Sequence, residues 1–367
     1  MNFKSLLALT GTFIVSHISF SQTSAPKYSN EFLNIGIGAK SLGMGNSAIG
    51  YIDDVTAAYW NPSGLLKSKA PMEIGLLHSE YFAGIAKYDY VGFSKRIDDK
   101  SVGAISFIRF GVDDIPNTTQ LIDKDGNVDY DRITTFSSAD YAFIFSYARK
   151  MKYNIDAGAN FKIIHRRIGD FAQAWGFGID ASASYDYKKW KFGAVVRDIT
   201  STVNSWSYTL SDEVKEVFDS TNNEIPQNST ELTIPRLVVG AARSFKLSKQ
   251  FNLLAAADLD FTFDGKRNTL IRSSFVSAEP KLGIELGYKG VVFVRTGLGN
   301  VQWVRQFDET ENLSAQPNIG LGLKIKNFYI DYALTDIGDN SIALYSNVFS
   351  VRYQIGRTNT PRSTTTP

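Results

Sequence analysis

The 367-residue chain has no cysteine. Disulfides, thiol catalysis, cysteine-ligated zinc and iron–sulfur sites are thereby excluded, as is the acylated cysteine of a lipoprotein. Histidine is nearly absent: His17, His78 and His165 are too few and too scattered for a histidine-based metal site. Methionine (4) and proline (10) are scarce. No excess of one charge exists either, because 39 Lys plus Arg face 37 Asp plus Glu for a net +2. That balance argues against a nucleic-acid binder. Abundant instead are Gly (29), Phe (25) and Tyr (18). Aromatic and Gly-rich composition with little Met leans towards β-structure.

Long apolar runs are missing, except at the start. Lys4 supplies a positive charge, Leu6 to Phe20 an interrupted apolar stretch, and Ser19-Phe20-Ser21 small residues at −3 and −1 of a cleavage site. Residues 1–21 read as a secretory signal peptide with Gln22 as the first mature residue. The mature chain is expected to leave the cytoplasm.

From Met72 onward the dominant signal is a period of two. Ile155, Ala157, Ala159, Phe161 and Ile163 share one face, and Asp156, Gly158, Asn160 and Lys162 the other. Trp175, Phe177 and Ile179 oppose Gly176, Gly178 and Asp180 in the same way, and Phe349, Val351 and Tyr353 oppose Ser350, Arg352 and Gln354. Fourteen such segments run from near 72–79 to 344–356. Many reach about 9–11 residues or more, the length a tilted strand needs to cross an outer membrane, whereas soluble strands average about 5–6.

The connections alternate. Short ones fall at Ile97–Lys100, Lys150–Lys152, Lys188-Lys189, Lys246–Gln250, Lys289-Gly290 and Lys326-Asn327. Long ones span 112–137, 200–231, 264–277, 301–314 and 337–343. Outer-membrane barrels combine short periplasmic turns with long outer loops. The expectation is a 14-stranded antiparallel transmembrane β-barrel over 67–356, with both chain ends in the periplasm. The charged faces then line the lumen, and aromatics at strand ends (Tyr153, Trp175, Tyr187, Trp190, Phe251, Phe263, Tyr288, Phe328) form interfacial girdles. Its home would be the bacterial outer membrane, crossed many times and surrounded by lipid. The last residues, 357–367, are Thr, Pro and Arg and read as a disordered periplasmic tail.

The segment before the barrel, 22–66, breaks the pattern, and residues 31–66 do not alternate cleanly. Glycine is dense here, which argues for close backbone approach. No phosphate-loop spacing occurs, and Gly36-x-Gly38 lacks the third glycine of a dinucleotide fingerprint. The run Gly38-Ala39-Lys40-Ser41-Leu42-Gly43-Met44-Gly45 leads through Asp53-Asp54 to Tyr59-Trp60-Asn61-Pro62-Ser63-Gly64-Leu65. This pattern resembles the N-terminus of FadL-like outer-membrane barrels, and most closely the PorV/PorQ family of the type IX secretion system. Such families show Gly-Ala-Arg-x-x-Gly-Met-Gly, an Asp pair, then Tyr-Trp-Asn-Pro-Ala-Gly-Leu. Here Lys40 replaces the Arg and Ser63 the Ala. The resemblance implies an N-terminal plug inside the lumen, with Gly43, Met44, Gly45, Asp53, Asp54, Asn61, Pro62 and Gly64 in structural roles.

Three further features invite a site. Asp123–Asp131 looks like a calcium loop, but neither frame puts Gly at position 6, so it reads as a turn at Asp125-Gly126. Asp53-Asp54 is no catalytic pair, because adjacent side chains point apart and no base or nucleophile joins them; anchoring the plug to wall cations is the better role. The 200–231 segment carries Trp206, Tyr208, Leu210, Val214, Val217 and Phe218, with a helix start at Ser211. It either folds over its own barrel or offers a contact surface to a partner or hydrophobic ligand.

No nucleophile–base constellation supports an enzyme, and no metal or small-molecule cofactor is implied. The resemblance implies a non-enzymatic component of the type IX system that meets a large translocon barrel or secreted cargo through its outer loops. The alternative is a FadL-like importer of hydrophobic small molecules, which requires an apolar pocket near the outer mouth and an opening in the wall.

Overall fold

The computed structural model describes residues 29–122, 127–305, 309–337 and 345–356. The expected signal peptide and tail lie outside the described residues, as does most of the Asp123–Asn127 stretch. Seventeen strands follow a non-strand segment. They are β1 Met72–Tyr81, β2 Ala86–Asp98, β3 Ser101–Asn117, β4 Thr134–Lys150, β5 Ile155–Ile168 and β6 Ala172–Tyr187. Then come β7 Trp190–Arg197, β8 Thr202–Tyr208, β9 Ser229–Thr233, β10 Arg236–Lys246 and β11 Phe251–Thr262. The last are β12 Ile271–Arg272, β13 Ser277–Tyr288, β14 Val292–Arg305, β15 Glu311–Ile325, β16 Phe328–Thr335 and β17 Ser346–Ile355.

Fourteen of them, all but β8, β9 and β12, close into one antiparallel barrel, sealed where Leu76 of β1 faces Val351 of β17. Closure leaves no edge with unpaired backbone groups, which lipid does not tolerate. The fold is that of a multi-pass outer-membrane barrel.

Burial alternates along every strand, as the period of two requires. Phe161, Phe177, Ile179, Ile284, Leu321 and Phe349 point outward at 39–56% exposure. Their neighbours Lys162, Asp180, Glu285, Asp331 and Arg352 point into the lumen. The tight turns at one end carry Lys188, Lys289 and Lys326 at φ 56°, 51° and 55°, left-handed conformations that match the twist of the strands they join.

The 200–231 segment departs from the expected loop. After Arg197 the chain turns through residues 198–201 and resumes as β8 on the same neighbour, with Trp206 opposite Ala174 of β6. β9 pairs with β8 and runs on into β10. The wall is thus taller at the long-loop end than hydrophobic alternation indicates.

The two faces should respond differently to charge. Phe161→Arg puts a cation on the lipid side at the middle of β5 and should cost about 2–4 kcal/mol near the midplane. At Gly158 a Cβ would lie 2.3 Å from the Ser63 nitrogen and 2.6 Å from the Pro62 carbonyl carbon. Gly158→Arg should therefore act by expelling the segment inside the barrel. Heat-modifiability on gels checks the first and conductance in a planar bilayer the second; normal assembly of Phe161→Arg beside failure of Asp156→Leu would reverse the assignment of faces.

Candidate functional site

Residues 30–66 fill the lumen. Ile37, Ala39, Met44, Ala48, Val55, Ala57, Ala58 and Leu65 are fully buried, so this segment is the hydrophobic core of the barrel. It holds only short turns, the 3-10 turn Glu31–Asn34, Ala39–Leu42, Ala57–Trp60 and the 3-10 stretch Pro62–Lys67. Its backbone must therefore find partners elsewhere. The Asp258 carboxylate accepts from the amides of Ala48 (2.7 Å) and Ile49 (2.9 Å). The Trp60 indole donates to the Ile37 carbonyl at 2.9 Å, and the Asn61 amide to the Ile49 carbonyl at 2.9 Å and Ser184 Oγ at 3.1 Å. Asn160 of β5 donates to the Ala58 carbonyl.

The two adjacent aspartates part company. Asp54 takes the Arg352 guanidinium at 2.6 Å, while Asp53 meets Lys40 of its own segment at 3.4 Å. Burial opposes the charge on Asp53, but Lys40, Lys191 and Arg352 outweigh it and leave the carboxyl below its usual range. Arg352 also reaches Glu73 and Asp331, each at 3.5 Å. Asp331 in turn pairs with Arg295 (2.7 Å), and Arg295 with Glu285 (2.6 Å). One chain of alternating charge thus runs from the plug across β17, β16, β14 and β13.

Gly43, Met44 and Gly45 press on the wall. A Cβ at Gly297 of β14 would lie 2.1 Å from the Gly45 nitrogen and the Met44 carbonyl carbon. Gly45 itself has φ 65°, the left-handed region that favours glycine. Gly64 is packed just as closely, since its Cβ would meet the Ile52 carbonyl oxygen at 2.6 Å. Pro62 opens the 3-10 stretch at its first position, where its missing N–H costs nothing.

The described segment begins at the long-loop end. Asn30 donates to Thr233 Oγ1 and Asn204 donates to Ser29 Oγ at 2.9 Å. The last strand ends at the short-turn end, where Ile355 faces Met72; the expected mature start at Gln22 lies outside the described residues.

Two cavities in the lumen are lined by described residues. An outer one of about 380 Å³ is floored by Ile35, Leu42 and Asn46 and walled by Tyr81, Phe110, Lys281, Asn300, Asn318 and Asp336. An inner one of about 190 Å³ lies among Lys40, Tyr51, Asp53, Leu254, Glu285 and Phe293. Neither was visible in the sequence, because each is assembled from residues more than 200 positions apart.

The apolar residues of the 200–231 segment lie against the protein itself. Trp206 is 6% exposed, packs with Ala172 and Ala174, and carries the Arg166 guanidinium 5.0 Å over its ring. Tyr208 stacks beside it at 6.2 Å. Ser211 caps the helix Asp212–Ser220 by accepting from the Val214 amide, and Val214 is buried. Leu210, Val217 and Phe218 are half-buried. Of the two roles the sequence left open, folding over the barrel is the one this packing favours.

No protein-family model matches the sequence, and no curated protein is detectably similar to it. Solved structures do match in fold. The chain is similar to the Pseudomonas putida toluene transporter TodX, with 13% identity and a TM-score of 0.56 over 88% of this chain and 99% of that one. The Ralstonia pickettii toluene transporter TbuX gives 14% and 0.55 over 88% and 99%. A Pseudomonas aeruginosa FadL homologue gives 11% and 0.50 over 87% and 98%. None of these likenesses singles out the PorV/PorQ family. The first two are transporters by name, and what this chain shares with all three is the closed FadL-like outer-membrane barrel, here of fourteen strands.

Proposed function

We propose that the protein is a FadL-like outer-membrane transporter that admits a small, partly hydrophobic molecule at its long-loop end. The observation that carries this reading is the divided lumen. Leu42 borders the outer cavity and Lys40 the inner one, so the single turn Ala39–Leu42 is the partition between them. That turn is tied to the wall by the Ala39 amide, which donates to Ser350 Oγ at 3.0 Å, and to the rest of the plug by Lys40, which meets Asp53 at 3.4 Å. Its displacement would join the cavities into a path. Ile35, Leu42, Tyr81, Phe82 and Phe110 give the outer cavity apolar surface suited to a ligand of the kind the toluene transporters are named for.

The absence of cysteine makes the test clean. The contact between Ala39 and Ser350 sets the two residues side by side, so a cysteine pair there can bridge the turn to β17. Ala39→Cys with Ser350→Cys should cross-link the turn to β17 and abolish uptake of a hydrophobic fluorescent probe by intact cells, and reductant should restore it. Uptake that ignores both the lock and deletion of the protein would end the transporter reading.

A second reading keeps one specific observation, the Gly-Met-Gly and Tyr-Trp-Asn-Pro motifs. In it the chain is a non-enzymatic subunit of the type IX system, and its long loops meet a large translocon barrel or secreted cargo. Phe275 (85%) and Tyr130 (73%) are exposed there. Mild detergent extraction followed by identification of co-purifying chains separates the two readings: a giant barrel partner favours the second, a bound small molecule the first.

A further inference from the structure

The outer cavity is not uniformly polar. On the arc formed by β10, the connection after β11 and β13, Arg236, Arg267 and Lys281 are each held by acids: Arg236 and Lys281 by Asp260 at 3.5 and 3.2 Å, Arg267 by Asp264 at 2.8 Å. Their charge is spent within the wall. The opposite arc is different. Thr335 pairs with Ser346, and Glu80 with Asn347. That register puts Asp336 one residue beyond the row that carries Tyr81. Tyr81 and Phe82 rings are 6.4 Å apart, Tyr81 and Tyr88 6.4 Å, and Tyr88 and Phe110 6.1 Å. An aromatic wall and one carboxylate therefore share this side.

Asp336 has no cation within 4 Å among the described residues. One carboxylate oxygen accepts from the Thr335 hydroxyl at 3.1 Å, and its own amide donates to Asn318 Oδ1 at 3.3 Å. Asp336 and Phe82 both stand in the left-handed region, at φ 58° and 53°. That conformation is uncommon for Asp and an outlier for a bulky residue such as Phe, and such outliers gather where a chain must present side chains at a site.

We propose that this side of the outer cavity binds the ammonium group of a small amine whose body is aromatic or aliphatic. The carboxylate supplies the opposite charge, and the faces of Tyr81, Phe82 and Phe110 attract a cation through their quadrupoles while taking the apolar body. A carboxylate ligand meets no free cation here. A bare hydrocarbon leaves Asp336 unpartnered beneath it, which costs affinity. The inference deepens the transporter reading and rests on the outer cavity being where that ligand is received.

Three probes with one body and different heads test it: phenethylammonium, ethylbenzene and 3-phenylpropionate, titrated at pH 7 into the full-length barrel in dodecyl maltoside by calorimetry. Phenethylammonium should bind about tenfold more tightly than either competitor, and Asp336→Asn should remove about that factor without weakening ethylbenzene, which no longer covers a charge. Phe110→Leu should weaken phenethylammonium and ethylbenzene together. Retained heat-modifiability shows that both variants are folded. Tighter binding of ethylbenzene or 3-phenylpropionate, an unaffected Asp336→Asn, or no binding of any probe overturns the amine site. Uptake of ethylbenzene by cells in that event leaves the transporter reading standing without it.

Discussion

Replacing Arg352 by Met should destabilise the barrel by about 3–5 kcal/mol, the cost of removing one partner from a buried charge cluster. Arg352 is 6% exposed, and its two terminal nitrogens face Asp54, Glu73 and Asp331. Without it, Glu73, itself fully buried, keeps the Gln354 amide at 3.2 Å and the Val55 amide at 3.4 Å but no cation within 4 Å among the described residues. Asp331 retains Arg295, so the loss concentrates on Asp54 and Glu73. Arg352→Lys should fall between wild type and Met, because one ammonium cannot span carboxylates that a forked guanidinium reaches separately. Urea unfolding in detergent, followed by tryptophan fluorescence, measures it. An unchanged midpoint for Arg352→Met would show that the cluster does not hold the plug.

Deleting residues 31–62 should turn a closed barrel into an open pore. The wild-type protein in a planar lipid bilayer should show little steady conductance, because this segment fills the lumen with fully buried residues. The deletion should conduct ohmically. Gly297→Val should do so in part, because its side chain occupies the space of the Gly45 and Met44 backbone and the plug cannot seat against β14. The strands keep their own hydrogen bonds in both variants, so heat-modifiability should survive. An open wild-type pore would mean that the segment leaves the lumen in a membrane.

The barrel was legible because its strands meet two uniform surroundings, lipid and a wet or charged lumen, and each writes a period of two. The extension β8–β9 was not, and for the same reason. Its inward face is Thr202, Asn204, Trp206 and Thr233, and part of it is covered by Ser29 and Asn30. Polar side chains facing a polar cover leave no hydrophobic alternation to read. The glycines of the plug announced close approach, but not what they approach. Gly297 and Gly320 look like ordinary strand glycines until Met44, Gly45 and Gly43 are set against them. Asp53-Asp54 suggested wall cations, and only Asp54 found one; Asp53 turned to Lys40. The outer cavity lay beyond sequence reasoning altogether, since Tyr81, Phe110 and Asp336 become neighbours only when β17 meets β1.

That meeting also sets an order of assembly. The plug precedes β1 in the chain, and the seam that completes the wall joins β1 to the last strand, some 280 residues later by the pairing of Met72 with Ile355. Before the seam forms, the sheet is an open trough, and the plug can be laid along it from the side. Once the seam is shut, a segment that touches β5, β7, β10, β14 and β15 at backbone distance has no room to thread in. Loading therefore comes before closure. The residue that records this is Arg352: it belongs to the final strand, it grips Asp54 of the plug, and it reaches Glu73 on the first strand. A chain that arrives at the seam with its plug misplaced leaves the incoming arginine without Asp54, the acid nearest to it at 2.6 Å, so the last step of zipping favours a correctly filled barrel.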